Sequence, residues 1–321
     1  MRFGINTFLF ACPFTNKSTR LFPQFRQWGF ETVEISIEQF SHIDPVYVRG
    51  RLHENGLFCG SVAPCMGPDK DLRGEPNQQR SGVRFLQQVI DRMVELEAPT
   101  MAGVVYSVVG RADAVPPNEH RRQWKTVVKN LRQVARYAED HGRIIAMEPV
   151  NRFETDFINT CEQGLNMIAD VGSPALKLHL DTFHMNIEEK DSAAAIRAAG
   201  SHLGHFHACG SDRGTPGNDE IDWKAVSDAL RAIHYRGDVV IESFTSEVKA
   251  IARAAAIWRK IEPTTDEIAW KGVRFLKKTL RRASRTLEGA FDDARRFRRT
   301  VRAFPERGHI PESCQQSPTR P

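Results

Sequence analysis

Arg143-Ile-Ile-Ala-Met-Glu148, Leu176-Lys-Leu-His-Leu-Asp181, Leu203-Gly-His-Phe-His207 and Asp238-Val-Val-Ile-Glu242 are four short apolar runs, and each ends on an ionisable side chain. A brief run of aliphatic and β-branched residues, bounded by longer segments of helical period, reads as a strand buried on both faces of a parallel sheet. Working outward from these four, the same pattern recurs toward the N-terminus. The full set of expected strands is residues 2–9, 32–36, 57–63, 100–106, 143–150, 175–181, 203–209 and 238–244. Between them residues 78–97, 119–141, 160–171, 192–199 and 223–234 carry helical periodicity. Gly56, Gly142, Gly172, Gly200 and Gly237 each stand where such a helix should stop before the next strand.

Eight strands alternating with helices can close into a barrel or open into a doubly wound sheet. No glycine-rich phosphate turn follows the first strand, as a dinucleotide-binding sheet would require. The expected fold class is therefore α/β, a (β/α)8 barrel of the TIM type, which fills about 250 residues as one domain. Residues 247–260 and 266–285 read as helices that complete the outer ring, giving a catalytic domain over 1–285. Residues 286–321, Arg-rich and then rich in Pro, Ser and Gln, read as a frayed helix followed by a partly disordered tail.

Catalytic groups of such barrels come from the C-terminal ends of the strands. Side chains alternate faces along a strand, so Glu148, Asp181, His207 and Glu242 converge if their faces point inward. Taken singly, each acid is explained as well by a helix N-terminus or an arginine. Taken together, three carboxylates around one imidazole would force like charges against one another unless a cation lay between them. One nitrogen and three oxygens suit a single divalent ion, Mn2+ first, with Mg2+ or Co2+ also fitting. His179 and His205, placed deeper in their strands, read as satisfied core histidines. Cys65 and Cys209 read as packing or pocket-lining residues.

The motifs Met147-Glu-Pro-Val-Asn-Arg-Phe-Glu154, His179-Leu-Asp-Thr-Phe-His-Met-Asn-Ile-Glu-Glu189, Gly204-His-Phe-His207 with Arg213, and Val239-Val-Ile-Glu-Ser-Phe244 resemble those of the ketose 3-epimerases, of the D-tagatose, D-psicose and L-ribulose type, among the xylose-isomerase-like barrels. The resemblance spans about residues 2–277 and is strongest over 143–244. It implies that Glu148, Asp181, His207 and Glu242 hold the metal and that Glu154, His184 and Arg213 contact the sugar hydroxyls. It further implies an isomerase that takes a proton from carbon 3 of a free ketose and returns one through an enediolate, with Glu148 and Glu242 as the catalytic pair on opposite faces of the sugar. The chain departs from better-known members at Val104-Val-Tyr-Ser-Val-Val-Gly110 and Phe8-Leu-Phe-Ala-Cys-Pro-Phe14, which lack the pocket tryptophans found there. An aldose–ketose isomerase or a keto-sugar or keto-glycoside enzyme of the same barrel remains the alternative.

Charge separates this reading from nucleic-acid chemistry. The formal net charge is +5, but residues 277–321 hold twelve Lys/Arg against five acids, which leaves the rest mildly acidic. The Asp181-x-x-His184 spacing is shared with apurinic DNA endonucleases of this fold. Those need histidines at early strand ends, where Gly60-Ser-Val-Ala63 and Ala102-Gly-Val-Val-Tyr106 supply none, and a basic stripe for phosphates. The expected partner is thus a small sugar, with no nucleic acid and no membrane; a homo-oligomer, dimer or tetramer, is compatible with it. Six cysteines without CxxC spacing, no cleavage-site pattern and no long apolar run point to a cytoplasmic protein.

Overall fold

The structure, a computed structural model, describes residues 1–281. The expected tail over 286–321 lies outside the described residues. Eight parallel strands close into a barrel in sequence order: β1 Arg2–Asn6, β2 Thr32–Ile37, β3 Phe58–Pro64, β4 Thr100–Gly103, β5 Ile144–Met147, β6 Leu176–Asp181, β7 Leu203–His207 and β8 Asp238–Ile241. Around it run α1 Phe22–Trp28, α2 Pro45–Glu54, α3 Pro76–Leu96, α4 Pro117–Asp140, α5 Cys161–Val171, α6 Thr182–Glu188, α7 Ser192–Ala199, α8 Trp223–Ala232, α9 Lys249–Ala254 and α10 Thr265–Arg281.

Local chemistry explains most of these boundaries. The Thr160 hydroxyl accepts from the Gln163 backbone N–H and the Gln163 side chain reaches back to the N-cap, so α5 starts on a reciprocal cap. Gly56, Gly142, Gly172 and Gly200 have the positive φ expected of helix-ending glycines. Gly237 does not: after α8 the left-handed residue is His234, φ 54°. Gly237 instead makes room for Tyr235, whose ring would lie 2.5–2.9 Å from an added Cβ and whose hydroxyl donates to the Asp238 carbonyl.

Two departures from expectation matter for the site. The helix expected over 247–260 shrinks to α9, because Ala256 turns left-handed at φ 55° and Ile257 N–H folds back to the Ala252 carbonyl. Helix α6, which sequence periodicity did not single out, begins directly at the end of β6, with Asp181 as its N-cap accepting from Phe183 N–H at 2.7 Å.

Register then sets the levels of the barrel interior. Both pairings that matter carry a bulge, and each bulge passes over a glycine. Val33 pairs with Cys59 but Glu34 with Ser61, so Gly60 is skipped; Leu178 pairs with Leu203 but His179 with His205, so Gly204 is skipped. The second shift brings Asp181 level with His207. The first, with the pairing of Asn6 to Glu34, puts Asn6, Glu34 and Ser61 on one rung. Among the described residues no helix is long and apolar enough to cross a membrane.

Candidate metal and sugar site

Asp181 and His207 are the last residues of β6 and β7, while Glu148 and Glu242 stand one residue beyond β5 and β8. All four are buried, and each offers a ligand atom within 4.8 Å of those of the others. The four strand-end residues expected from sequence are therefore brought together at one point.

The electrostatics of the cluster are unbalanced. Burial, and then the charge of Glu242, push the Glu148 carboxyl well above its ordinary range. Asp181 is pulled the other way: against the cost of burial, Arg213 at 2.7 Å and His207 hold it well below. His207 is raised well above its usual value because Glu34 and Glu242 outweigh its own burial. Two buried atoms facing the cluster, Glu148 Oε1 and His207 Nδ1, have no hydrogen-bond partner. Buried polar atoms are rarely left so. Three carboxylates and an unpaired imidazole nitrogen form a hard, mostly oxygen donor set, and a divalent cation fits it by pairing those atoms and cancelling the repulsion.

Above the cluster opens a cavity of about 340 Å³. Glu154, His184 and Arg213, the expected sugar contacts, all line it. Arg213 is 3% exposed and strained into φ 68°, with its guanidinium sandwiched between Phe183 and Phe244 at 4.2 and 4.7 Å from the ring centres. Its Nη1 also lies 3.2 Å from Glu242 Oε2. His184 Nδ1 accepts the Asn151 backbone N–H at 3.1 Å, so the neutral ring carries its proton on Nε2. Burial, and then the charge of Arg213, lower this histidine to about 3 and keep it neutral. Its Nε2 faces Arg213 Nη2 at 2.8 Å. Glu154 accepts from Asn151 Nδ2 at 2.8 Å, and burial raises its pKa.

Much of the remaining lining is apolar: Phe8, Ala63, Val104 and Val109 share it with Ile251 and Ala254 of the α9 region, and Glu38 adds a further acid. Phe8 and the valines occupy the segments in which tryptophan is lacking, and Cys65 lines the cavity as expected. Cys209 is buried beneath it, 3.3 Å from Asp181 Oδ1.

Neither of the two deeper histidines is fully satisfied, against expectation. His205 Nε2 lies 2.8 Å from Glu34 Oε2 but is not aligned for a hydrogen bond, and His179, fully buried, has no hydrogen-bond partner on either ring nitrogen, its Nδ1 lying 3.6 Å from Glu148 Oε2. Burial and the neighbouring histidines lower the His179 pKa well below the usual value. Sequence reasoning passed over Glu34. It is fully buried, accepts from Asn6 Nδ2 at 2.6 Å, Ser61 Oγ at 2.5 Å and His207 Nε2 at 2.9 Å, and is held well below its ordinary pKa as His207 and His205 overcome desolvation. A charged residue at the centre of Thr32-Val-Glu-Ile-Ser-Ile37 was the available signal.

Residues 22–285 match a family described as the xylose isomerase-like TIM barrel. A probable ketose 3-epimerase of Synechocystis sp. is 33% identical over 285 residues, 87% of this chain and 96% of that protein. A D-psicose 3-epimerase of Agrobacterium fabrum is 32% identical, covering 74% of this chain and 83% of its own. Among solved structures, an L-ribulose 3-epimerase superposes with a TM-score of 0.84 at 32% identity over 90% of this chain and 97% of that one. A D-allulose 3-epimerase from Methylomonas sp., in complex with D-allulose, gives 0.82 at 29% identity, with 87% and 97% covered.

Proposed function

The chain belongs to the xylose isomerase-like TIM barrel family, and from that premise we propose that it is a divalent-metal-dependent epimerase inverting carbon 3 of a free ketose. The observation that carries the reading is the meeting of Glu148, Asp181, His207 and Glu242 within 4.8 Å at the barrel's mouth, in a chain whose curated relatives over most of its length include ketose, L-ribulose and D-psicose 3-epimerases.

These four side chains would hold the cation, Mn2+ by preference for one imidazole and three carboxylates, with Mg2+ and Co2+ accepted by the same donors. When bound, the ion supplies Lewis-acid polarisation of the ketose oxygens, which acidifies the neighbouring C–H. The remaining chemistry belongs to the protein. Glu148 and Glu242 come from different strands, β5 and β8, and in this reading they act on opposite faces of the sugar. Inversion needs a base on one face of carbon 3 and an acid on the other, which a pair of carboxylates provides. Arg213 and His184 present polar groups to a hydroxyl or carbonyl oxygen, and Glu154 accepts from a neighbouring hydroxyl. Among the described residues Arg213 is the only lysine or arginine lining the cavity, which suits an unphosphorylated sugar. All five described cysteines are free, in keeping with a reducing compartment, and we assign the protein to the cytoplasm.

The test is turnover of free ketoses in deuterated water with added Mn2+. Deuterium at carbon 3 and its loss on chelation are expected; label at carbon 1 or 2 would move the assignment to an aldose–ketose isomerase.

A further inference from the structure

A second carboxylate layer lies beneath the candidate ligands, and it comes from the half of the barrel that supplies none of them. Glu34 of β2 is fully buried, and every polar contact recorded for it is with a group that can donate. Oε1 accepts from Asn6 Nδ2 and His207 Nε2, at 2.6 and 2.9 Å; Oε2 accepts from Ser61 Oγ at 2.5 Å and lies 2.8 Å from His205 Nε2. A carboxylate so fully supplied with donors has no need of a cation of its own. This sets the trio of His179, His205 and His207, close as their nitrogens are, apart from a second metal site.

The contact with His207 has a direction. An ionised carboxylate only accepts, so the imidazole must carry a proton on Nε2. The ring's other nitrogen, Nδ1, faces Glu242 Oε2 at 3.3 Å and Asp181 Oδ2 at 3.7 Å, without an aligned partner. Asn6 extends the same control. Its Oδ1 accepts from the Phe8 backbone N–H at 2.8 Å, which fixes the amide so that Nδ2 points inward. Nδ2 then donates both to Glu34 and to Glu242 Oε1, the latter at 2.9 Å. One oxygen of Glu242 is thereby tied to the barrel floor, and Oε2 is left on the side of Asp181 and His207.

We propose that Glu34 is a positioning residue, which with Asn6 selects the Nε2-protonated form of His207 and holds Nδ1 and Glu242 Oε2 toward the cation. The proposal rests on His207 being a metal ligand but not on which sugar is turned over. Partners of this kind orient a ligating imidazole and raise its basicity, and their loss typically costs about 10–100-fold in metal affinity.

Two measurements test it. In the full-length protein loaded with diamagnetic Mg2+, 15N NMR of the imidazoles should show His207 protonated at Nε2 and unprotonated at Nδ1; the opposite tautomer overturns the proposal without any variant. Glu34→Gln, close in shape, should fold and bind Mn2+ about 10–100-fold more weakly by calorimetry. A merely structural role predicts a lower Tm with wild-type Mn2+ affinity in the folded protein, and that result also overturns it. Neither readout depends on turnover, so failure of the epimerase reading leaves the outcome legible.

Discussion

The two halves of the barrel do different work. Strands β5–β8 supply all four candidate ligands, and the segments after β5, β6 and β7 add Glu154, His184 and Arg213. Strands β1–β4 supply no ligand. Their loops shape the far wall through Phe8, Ala63 and Val104, while the Asn6–Glu34–Ser61 rung supports the ligands from below. On the proposed function, reaction type would be decided on one side and sugar fit on the other. The segments expected to differ from the family, 8–14 and 104–110, fall on the second side, where they would alter the substrate without touching the chemistry.

The sharpest way to break that division is to remove the carboxylates one at a time. Glu148→Gln and Glu242→Gln are each expected to lower kcat by about 10²–10⁴-fold at saturating Mn2+, as loss of a general acid or base does. Changes confined to kcat/KM for one sugar would place these residues with the wall instead.

Protonation gives a second, somewhat smaller effect. Glu148 and His207 are both raised, so each retains its proton at pH values where the free side chain would have lost it. A cation must displace both. Binding should therefore release protons, and affinity should rise with pH until the raised values are passed. Calorimetry in buffers of different ionisation heat measures the number; zero release would mean that the ligand half is not a coupled proton and metal site.

The bulges offer a structural test of the same division. A Cβ on Gly204 would lie 2.6 Å from Lys177 Cβ, a contact that a rigid stem cannot yield. Gly204→Ala should cost about 1–3 kcal/mol of stability by overpacking, read from denaturant melts, and should weaken Mn2+ binding because Asp181 and His207 lose their common level. A stable variant with unchanged affinity would show that the bulge does not set the site. The smallest effect is expected outside the described residues. Every described cavity-lining residue precedes residue 256, so deletion of 286–321 should leave kcat unchanged; loss of turnover would bring the tail into the catalytic unit.

Legibility followed from how local each signal was. Glu148, Asp181, His207 and Glu242 could be read because each interrupts an apolar run at the place where a barrel strand ends. Glu34 interrupts such a run too, yet its meaning needed Asn6 and Ser61, which stand 28 and 27 residues away in sequence. Helix α6 was hidden because no loop separates it from β6; Asp181 serves as strand end, cap and candidate ligand together. The shortened α9 turned on one left-handed alanine, a backbone choice that composition does not announce.

From the amino-acid order alone come the eight alternating units, the polar strand ends and the chemistry those side chains can perform, because periodicity and residue type act over a few neighbouring positions. Only the folded barrel decides which of them share a level. That depends on two one-residue shifts at Gly60 and Gly204, and a shift of one residue turns a side chain from the interior to the opposite face.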